Sequence, residues 1–242
     1  MSHRIAICQP HYVPWIGYFE MIDRVDEFVF LDDVDVIMRE WKTRNRIRKE
    51  RMGTETKWLT VPIERGSRRG THLCEARIGG ESTWRRKHQD ALRAVYDRTP
   101  FFDDAYRLLQ DGLTREATTL ADLNIALIED ICSYLGITTP LRRSSELGTT
   151  GHKTDKLVAV CLAVGADGCL ANNGSAGYLE PERFNEHLIR VDFQDYQHPT
   201  FRQTSGGVEL PFLSHLSILD LIANHGLESL RILRAGSPRC TV

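Results

Sequence analysis

Residues 9–19 combine side-chain types that could bind a ring-shaped ligand and transfer a proton. Two prolines and a glycine in this run favour a rigid loop over a helix or strand. Imidazole can act as a general base, and an indole face can stack on a ring. A loop of this kind could equally close the end of a sheet without any ligand. The candidates are one general base, His11, and four binding residues, Gln9, Tyr12, Trp15 and Tyr18.

The neighbouring elements indicate where this loop lies in the fold. Residues 5–8 are apolar and predict a buried strand, and residues 27–31 predict a second strand after a short helix over 16–25. A strand, a crossover and a strand of this length indicate a parallel pair. Since ligands collect at the carboxyl ends of parallel strands, we expect the loop and the pair Asp32–Asp33 at the same edge of the sheet.

Asp32 and Asp33 are adjacent, so on a strand their side chains point to opposite faces. They could share a metal ion only if the chain turned between them, and we assign no metal site to them. Asp33 is a candidate general base or magnesium ligand. Asp32 could bind substrate or cap the next helix. Alternatively, both are solvated residues at the end of a strand.

Residues 39–51 form a basic segment with few acidic neighbours. The spacing of Arg44 and Arg48 is one helical turn, which would let two guanidinium groups hold a diphosphate. Trp41 and Asn45 lie among these charges and are further candidates for substrate binding. The segment could equally be a solvated face, and contact with nucleic acid, for instance a tRNA arm, is a third interpretation.

Residues 82–96 predict a helix, the first of a helical segment that extends to about residue 136. Trp84 and His88 are four residues apart and therefore share one face of that helix. His88 is a candidate general base. The alternative is a core histidine satisfied by a hydrogen bond.

A second strand–helix–strand unit is predicted in the second half of the chain. Its strand over 168–171 opens into a small, polar, glycine-containing loop over 172–179. Such a loop could hold phosphate or sugar hydroxyls, with Lys153 and Lys156 adding charge, although it lacks the P-loop pattern. The alternative is a tight strand-to-helix connection. The candidate binding residues in this loop are Asn173, Ser175 and Tyr178.

Residues 195–203 repeat the combination of aromatic residues, His, Pro and Gln. His198 is a further candidate general base, and Gln203 is a candidate for substrate binding. Asp220 lies in the apolar stripe of a closing helix over 213–224, where a carboxylate needs an Arg partner or a His to orient.

Composition excludes several classes of protein. The net charge of −2 is not that of a chain built to sit on nucleic acid or an anionic membrane. No apolar run approaches the ~20 residues of a membrane span, and the first residues lack a signal-peptide pattern, so we expect a cytoplasmic protein without membrane insertion. The six cysteines are scattered without a CxxC motif, which argues against structural zinc.

The alternation of strands and helices predicts an α/β fold with a Rossmann-like, mainly parallel sheet. A helical insertion, the segment about 82–136, separates two halves that each contain a βαβ unit. With 242 residues and no disordered linker, we expect one domain over 1–242.

Several motifs carry a resemblance to a known family. The longest is Gln9-Pro10-x-Tyr12-x-Pro14-Trp15-x-Gly17-Tyr18-Phe19. Shorter matches follow along nearly the whole chain: Asp26-x-Phe28-Val29, Asp32-Asp33, Trp41-x-x-Arg44-Asn45, Trp58-Leu59-Thr60-Val61-Pro62, Tyr178-Leu179, Tyr196-x-His198-Pro199 and Ser217-Ile218-Leu219-Asp220. On these motifs the chain resembles the WbqC-like protein family. Phe201 stands where the family tends to have Tyr, so a hydroxyl group there is not essential in this chain.

The resemblance implies an enzyme encoded among genes for bacterial surface polysaccharides or natural products. The role it implies is the modification of an amino sugar by acyl or aminoacyl (glycyl) transfer. We therefore expect a transferase whose partner is a small molecule, a nucleotide sugar, with aminoacyl-tRNA as a candidate donor. Transfer to an amine needs a general base and hydrogen-bond donors for the oxyanion.

Two alternatives stay open from the sequence. One is a magnesium-dependent nucleotidyl or adenylyl transferase that uses ATP, although Trp15-x-Gly17-Tyr18 stands where nucleotidyl transferases have His-x-Gly-His. The other is a non-catalytic scaffold that binds sugars or nucleotides, since rigid aromatic loops serve binding as well as catalysis. No cofactor is assigned apart from magnesium and ATP under the first alternative.

Overall fold

Five parallel strands form the central sheet in this computed structural model, which describes residues 2–67, 70–177 and 179–237. In chain order the strands are β1 (Arg4–Cys8), β2 (Glu27–Phe30), β3 (Arg44–Arg48), β4 (Thr56–Thr60), β5 (Leu141–Arg143), β6 (Gly168–Ala171), β7 (Arg190–Phe193), β8 (Thr204–Ser205) and β9 (Val208–Glu209). The spatial order of the central sheet is β5-β2-β1-β6-β7, and each neighbouring pair is parallel. The direction of strand addition reverses between β1 and β6, which is where ligands bind in open α/β sheets.

Helices connect the strands and flank the sheet. In chain order they are α1 (Ile16–Asp23), α2 (Thr83–Tyr96), α3 (Phe102–Thr114), α4 (Leu120–Leu135), α5 (Lys153–Ala163), α6 (Pro181–Asn185), α7 (Ile218–His225) and α8 (Ser229–Arg234). The helices α2, α3 and α4 lie between the β3–β4 hairpin and β5, so the predicted α/β fold with a Rossmann-like sheet and a helical insertion is confirmed. None of the helices within the described ranges is long and apolar enough to cross a membrane.

The three central strands, β1, β2 and β6, are buried on both faces, as their apolar sequences require. Ala6 and Phe28 belong to a large core that includes residues of α1, α4 and α7. Ile5 and Val29 point the other way and pack in a second core with residues of α5 and α6. Side chains alternate between the two cores along β1, β2 and β6, and the strand ends are left to carry polar groups.

The antiparallel pair of β3 and β4 corrects one prediction. Arg44 and Arg48 are not one helical turn apart, because the segment is a strand in which Asn45 and Ile47 are buried. Arg44 and Arg46 lie on the opposite, partly exposed face. The alternation of arginine with other residues has the period of two that a strand requires.

Two further segments contribute little to the sheets. Residues 73–78 form only isolated bridges, because the backbone turns there and closes hydrogen bonds onto the carbonyl of His72. The strand β5 ends at Arg143, because the two serines that follow turn toward Asp32.

A buried polar cluster joins β3 to α7. The guanidinium group of Arg48 donates to Gln203 Oε1 at 2.7 Å and to the carbonyl of Pro211 at 2.9 Å. Gln203 Nε2 donates in turn to Asp220 Oδ2 at 2.7 Å. The side chains of Arg48, Gln203 and Asp220 are all buried. Arg48 and Gln203 therefore support the fold and do not face a ligand. Asp220 therefore reaches its expected Arg partner through Gln203.

The carboxyl group of Asp220 is expected to make stability depend on pH. Burial raises its pKa from 3.8 to about 6, so within this window the folded protein holds a proton that the unfolded chain releases. The free energy of unfolding therefore falls as the pH rises from about 4 to about 6, by about 3 kcal/mol at ~1.36 kcal/mol per pKa unit. The variant Asp220→Asn lacks this contribution.

Urea unfolding of the wild type and Asp220→Asn across this pH range measures the effect. We expect the wild type to lose stability relative to the variant as the pH rises, and the two curves to run parallel above about pH 7. Parallel curves over the whole range would show that Asp220 is ionised in the folded protein.

Candidate functional site

A cleft of about 1150 Å³ opens at the carboxyl ends of β1 and β6, where the strand order reverses. Cys8 and Gln9 line it from the end of β1, and Ala171 and Asn172 line it from the end of β6. Its volume is slightly above the usual range for small-molecule sites, ~300–1,000 Å³, and leaves room for a ligand with several parts. The position is the one that the sequence predicted for a site.

The loop after β1 is fixed by side chains that lie behind it. Asn45 donates from Nδ2 to the carbonyl groups of Tyr12 and Val13, at 3.2 and 2.9 Å. Ser217 Oγ donates to the same Val13 carbonyl at 2.8 Å. Val13 has a φ of 36°, which is strained for a β-branched residue and persists only where the surroundings enforce it. Asn45 is buried and holds the loop instead of facing the cleft.

Trp15 forms one wall of the cleft in a fixed orientation. Its ring covers Gly17 so closely that a Cβ atom at position 17 would lie 2.3 Å from the indole. His215 stacks on it with ring centroids 5.1 Å apart, and Tyr196 meets it edge-on at 5.7 Å. Tyr18 also lines the cleft and donates from its hydroxyl to the carbonyl of Gln9 at 2.9 Å. Only glycine at position 17 allows this arrangement.

His11 lies in the cleft as a neutral imidazole. Burial, together with the nearby ammonium group of Lys42, lowers its pKa to about 3. Lys42 is buried and forms an ion pair with Glu40. Burial also raises the pKa of the Cys8 thiol to about 12, so that cysteine stays protonated and is no nucleophile. His11 can therefore donate or accept a hydrogen bond without carrying charge.

The two adjacent aspartates have different surroundings. Asp32 is fully buried, and its carboxylate accepts from Ser145 N at 3.0 Å and Ser145 Oγ at 2.9 Å, so it anchors this turn and does not reach a ligand. Asp33 lines the cleft and forms an ion pair with Lys156 at 2.5 Å. Lys156 also donates to Thr149 O at 2.7 Å and Thr149 Oγ1 at 2.9 Å. Asp33 therefore enters the cleft as a paired carboxylate.

The N-terminus of α5 and the loop after β6 form the next part of the cleft. Lys153 and His152 line it from the start of α5, and Lys153 has a φ of 50°. Asn173 and Ser175 line it from the loop, where Ser175 Oγ donates to Asn172 O at 2.7 Å. The backbone N–H groups at a helix N-terminus attract anions. The predicted residue Tyr178 lies outside the described residues.

His198 and His215 form a pair in which only His215 reaches the cleft. His198 donates from Nδ1 to the carbonyl of Pro199 at 2.9 Å and accepts from the backbone N–H of His215 at its Nε2 atom, at 3.1 Å. Both ring nitrogens are thus occupied, so His198 has no lone pair left for substrate. It holds His215, which has a φ of 57°, against Trp15. Burial, with Arg46 nearby, lowers the pKa of His215 below 6.5.

Two other predicted site residues lie away from the cleft. Tyr12 is fully buried, and its hydroxyl group is 2.8 Å from Nδ1 of His88. His88 is also buried, packs edge-on against Trp84, and has its pKa lowered to about 4 by burial. This pair is the hydrogen-bonded core histidine that the sequence left open as the alternative.

Gln194 is a cleft residue that the sequence did not single out. Its Nε2 atom donates to the carbonyl of Gly17 at 2.7 Å and to Glu20 Oε2 at 2.5 Å. Because both neighbours only accept hydrogen bonds, the amide nitrogen must face them and Oε1 must face away. Among the residues that the structure describes, nothing donates to that oxygen, so a ligand in the cleft can.

The remaining predicted residues lie at the rim. Trp41 is exposed and lines the cleft, whereas Arg44 lies beside it on β3 with its guanidinium group 4.0 Å from the ring centre of Trp58. Three of the four predicted catalytic residues are placed as follows: His11 and Asp33 in the cleft, and His198 directly behind it. The described residues include no group of three or more His, Cys, Asp or Glu side chains arranged to hold a metal ion.

Sequence comparison extends the resemblance over most of the chain. Residues 9–232 match the profile of the WbqC-like protein family. The chain is 36% identical over 233 residues to a protein of Mycobacterium tuberculosis (strain ATCC 25618 / H37Rv) named "Uncharacterized protein Rv1507c", an alignment that covers 96% of this chain and 97% of that protein. No solved structure gives a significant match.

Proposed function

Because the chain belongs to the WbqC-like protein family, we propose that it is a transferase of polysaccharide or natural-product biosynthesis. In this proposal it transfers an acyl or aminoacyl group, such as glycyl, to the amine of a nucleotide-linked amino sugar. The observation that carries the proposal is a single cleft with ammonium groups and a helix N-terminus at one end and a stacked aromatic wall at the other. A sugar joined to a diphosphate needs both.

The cationic end suits a diphosphate. Lys153 forms no ion pair with any described residue and stands at the N-terminus of α5, whose backbone N–H groups add to its attraction for anions. Lys156 contributes charge from the same helix but is partly neutralised by Asp33. In this proposal Lys153, with Asn173 and Ser175 beside it, takes the diphosphate-binding role that was predicted for Arg44 and Arg48.

The aromatic end suits an amino sugar. Trp15, whose ring is flanked by Gly17 and His215, forms an apolar wall with Tyr18, and sugar rings pack their apolar C–H groups against aromatic walls. The Oε1 atom of Gln194 accepts a hydrogen bond from the sugar amine, and the Gln9 side chain lies at the same wall. An amine satisfies the Gln194 oxygen, whereas a group without a hydrogen leaves it buried and unpaired.

In this proposal the two cleft histidines His11 and His215 have different roles in the transfer reaction. The amine nitrogen attacks the carbonyl carbon of an acyl ester or thioester, and His215 accepts the proton that this nitrogen loses. His11, neutral throughout, donates its N–H to the oxyanion that forms. When the C–O or C–S bond breaks, the protonated His215 returns the proton to the leaving group. His215 is preferred to His11 as the base because the pKa of His11 is lowered to about 3, which leaves that imidazole too weakly basic to take a proton from the amine.

A ligand screen followed by a product assay tests this function. We expect nucleoside-diphosphate amino sugars to raise the melting temperature more than deoxy counterparts with hydrogen in place of the amine, because only the amine can donate to Gln194 Oε1. A ligand at 100 times its Kd stabilises by about 2.7 kcal/mol. Incubation with acyl-CoA or aminoacyl-tRNA should then give a product heavier by one acyl group, detected by mass spectrometry. Lys153→Ala should weaken binding of both sugar classes about tenfold, as expected for one lost charge contact.

Three results would contradict the proposal. Stabilisation by magnesium and ATP alone, with pyrophosphate release, would indicate nucleotidyl transfer. Binding of nucleotide sugars without product from any donor would indicate a scaffold. Equal binding of amino sugars and their deoxy counterparts, unchanged in Gln194→Met, would show that the cleft does not recognise the amine.

A further inference from the structure

We propose that Trp41 and Trp58 form a stacking platform for the nucleobase of the ligand, at the rim of the cleft. This inference rests on the proposed function, since it assigns a place to the nucleotide part of the same substrate. Trp58 belongs to β4 and had no assigned role, whereas Trp41 lines the cleft itself. The Trp41–Trp58 platform consists of these two side chains together with Arg44.

The two indole rings are unusually accessible. Trp41 is 42% exposed and Trp58 is 41% exposed, and their ring centres are only 5.4 Å apart with planes tilted by 46°. Neighbouring exposed tryptophans keep a large apolar surface in water, which a protein rarely does unless the surface binds something. The rings therefore form a small open aromatic surface.

Arginine side chains make this surface positive. The guanidinium carbon of Arg44 lies 4.0 Å from the ring centre of Trp58, and that of Arg46 lies 5.9 Å from the ring centre of Trp41. Neither arginine forms an ion pair with any described residue, and the buried Nε atom of Arg44 has no hydrogen-bond partner there. An aromatic surface with uncompensated guanidinium groups is the combination that binds bases and their phosphates.

The platform is continuous with the cleft. The backbone carbonyl of Trp41 accepts from the N–H of Tyr12 at 2.9 Å, which ties it to the loop that lines the cleft. Arg46 donates from Nε to the carbonyl of His215 at 3.2 Å, which ties β3 to the opposite wall. A ligand with its sugar at Trp15 and its phosphates at the cationic end can extend its base onto Trp41. A sugar 1-phosphate has no group to place there.

Isothermal titration with UDP, dTDP, GDP and inorganic pyrophosphate tests the platform. Pyrophosphate is the matched ligand, because it has the same charged group without a base. We expect Trp41→Ala and Trp58→Ala to raise the Kd of the best nucleoside diphosphate about tenfold or more, as expected for the loss of base stacking. The Kd of pyrophosphate should not change. Met52→Ala, an exposed apolar residue of the same hairpin, is the control and should change neither Kd.

Each other outcome has a definite meaning. Unchanged Kd values for nucleoside diphosphates, or equal loss for pyrophosphate, would overturn the platform, and an amino-sugar product would still support the proposed function. Tryptophan-dependent binding of diphosphates without any transfer product would support the platform and refute that function. A short single-stranded RNA that binds the wild type more tightly than any diphosphate, through the same tryptophans, would overturn the nucleotide in favour of RNA.

Discussion

Replacement of His215 by asparagine is expected to lower the turnover number about 100-fold or more, the usual contribution of a general base. Asn keeps a polar side chain and tolerates the left-handed backbone that His215 adopts at a φ of 57°. The stack on Trp15 is reduced, but the diphosphate contacts are not touched, so KM for the nucleotide amino sugar should change little. Steady-state kinetics of the transfer reaction measure both constants.

The pH dependence of the transfer rate distinguishes a general base at His215 from a His215 that only supports the cleft wall. Burial and the nearby Arg46 lower the pKa of His215 below 6.5, and a base works only when it is deprotonated. The wild-type rate should therefore fall as the pH drops below this pKa, and His215→Asn should lack that limb. His187→Asn, at an exposed position away from the cleft, is the matched control and should behave as wild type. A wild-type turnover number in His215→Asn would show that His215 is not the general base.

Replacement of Lys156 by methionine should cost about 3–5 kcal/mol of stability, because it leaves the carboxylate of Asp33 without its buried partner. Thr149 loses two hydrogen bonds from the same ammonium group. For a chain of this size, 1 kcal/mol corresponds to about 2–4 °C, so the melting temperature should fall by about 10 °C. Calorimetry and urea unfolding measure the loss.

A double variant checks the physical reason. Lys156→Met combined with Asp33→Asn removes both charges, so it should be more stable than Lys156→Met alone. Lys49→Met removes the exposed ion pair with Glu55 and should leave stability almost unchanged. Additive losses in the double variant would mean that hydrogen bonds of Lys156, and not the unpaired charge, account for its contribution.

Local sequence patterns were sufficient to predict the strands at the centre of the sheet. Residues 5–8, 28–31 and 168–171 are continuous apolar runs that are followed at once by polar residues, and such runs are typical of strands buried on both faces. The parallel rule then predicted that Gln9 and Asp33 share one edge, and both line the cleft. These conclusions need only residues close together in the chain.

The predictions were wrong where a segment fits both the helical and the strand period. They were incomplete where contacts between residues distant in the chain determine the position of a side chain. Arg44 and Arg48 fit a helix face at a spacing of four and a strand face at a spacing of two, and only the pairing with Trp58 and its neighbours selects the strand. His215 has no local signal, because its position depends on a hydrogen bond to His198 and a stack on Trp15. Burial of such residues is a property of the whole fold.

The hydrogen bond from Ser217 to the Val13 carbonyl joins residues 204 positions apart in the chain. A ribosome that adds about 5–20 residues per second needs roughly 10–40 s to cover that distance. During synthesis, the aromatic loop at residues 9–19 therefore leaves the ribosome long before the segment that secures it. The exposed aromatic side chains of this loop therefore have to avoid other contacts until α7 emerges from the ribosome. Ligand binding then indicates that Ser217, just before α7, has docked onto the loop.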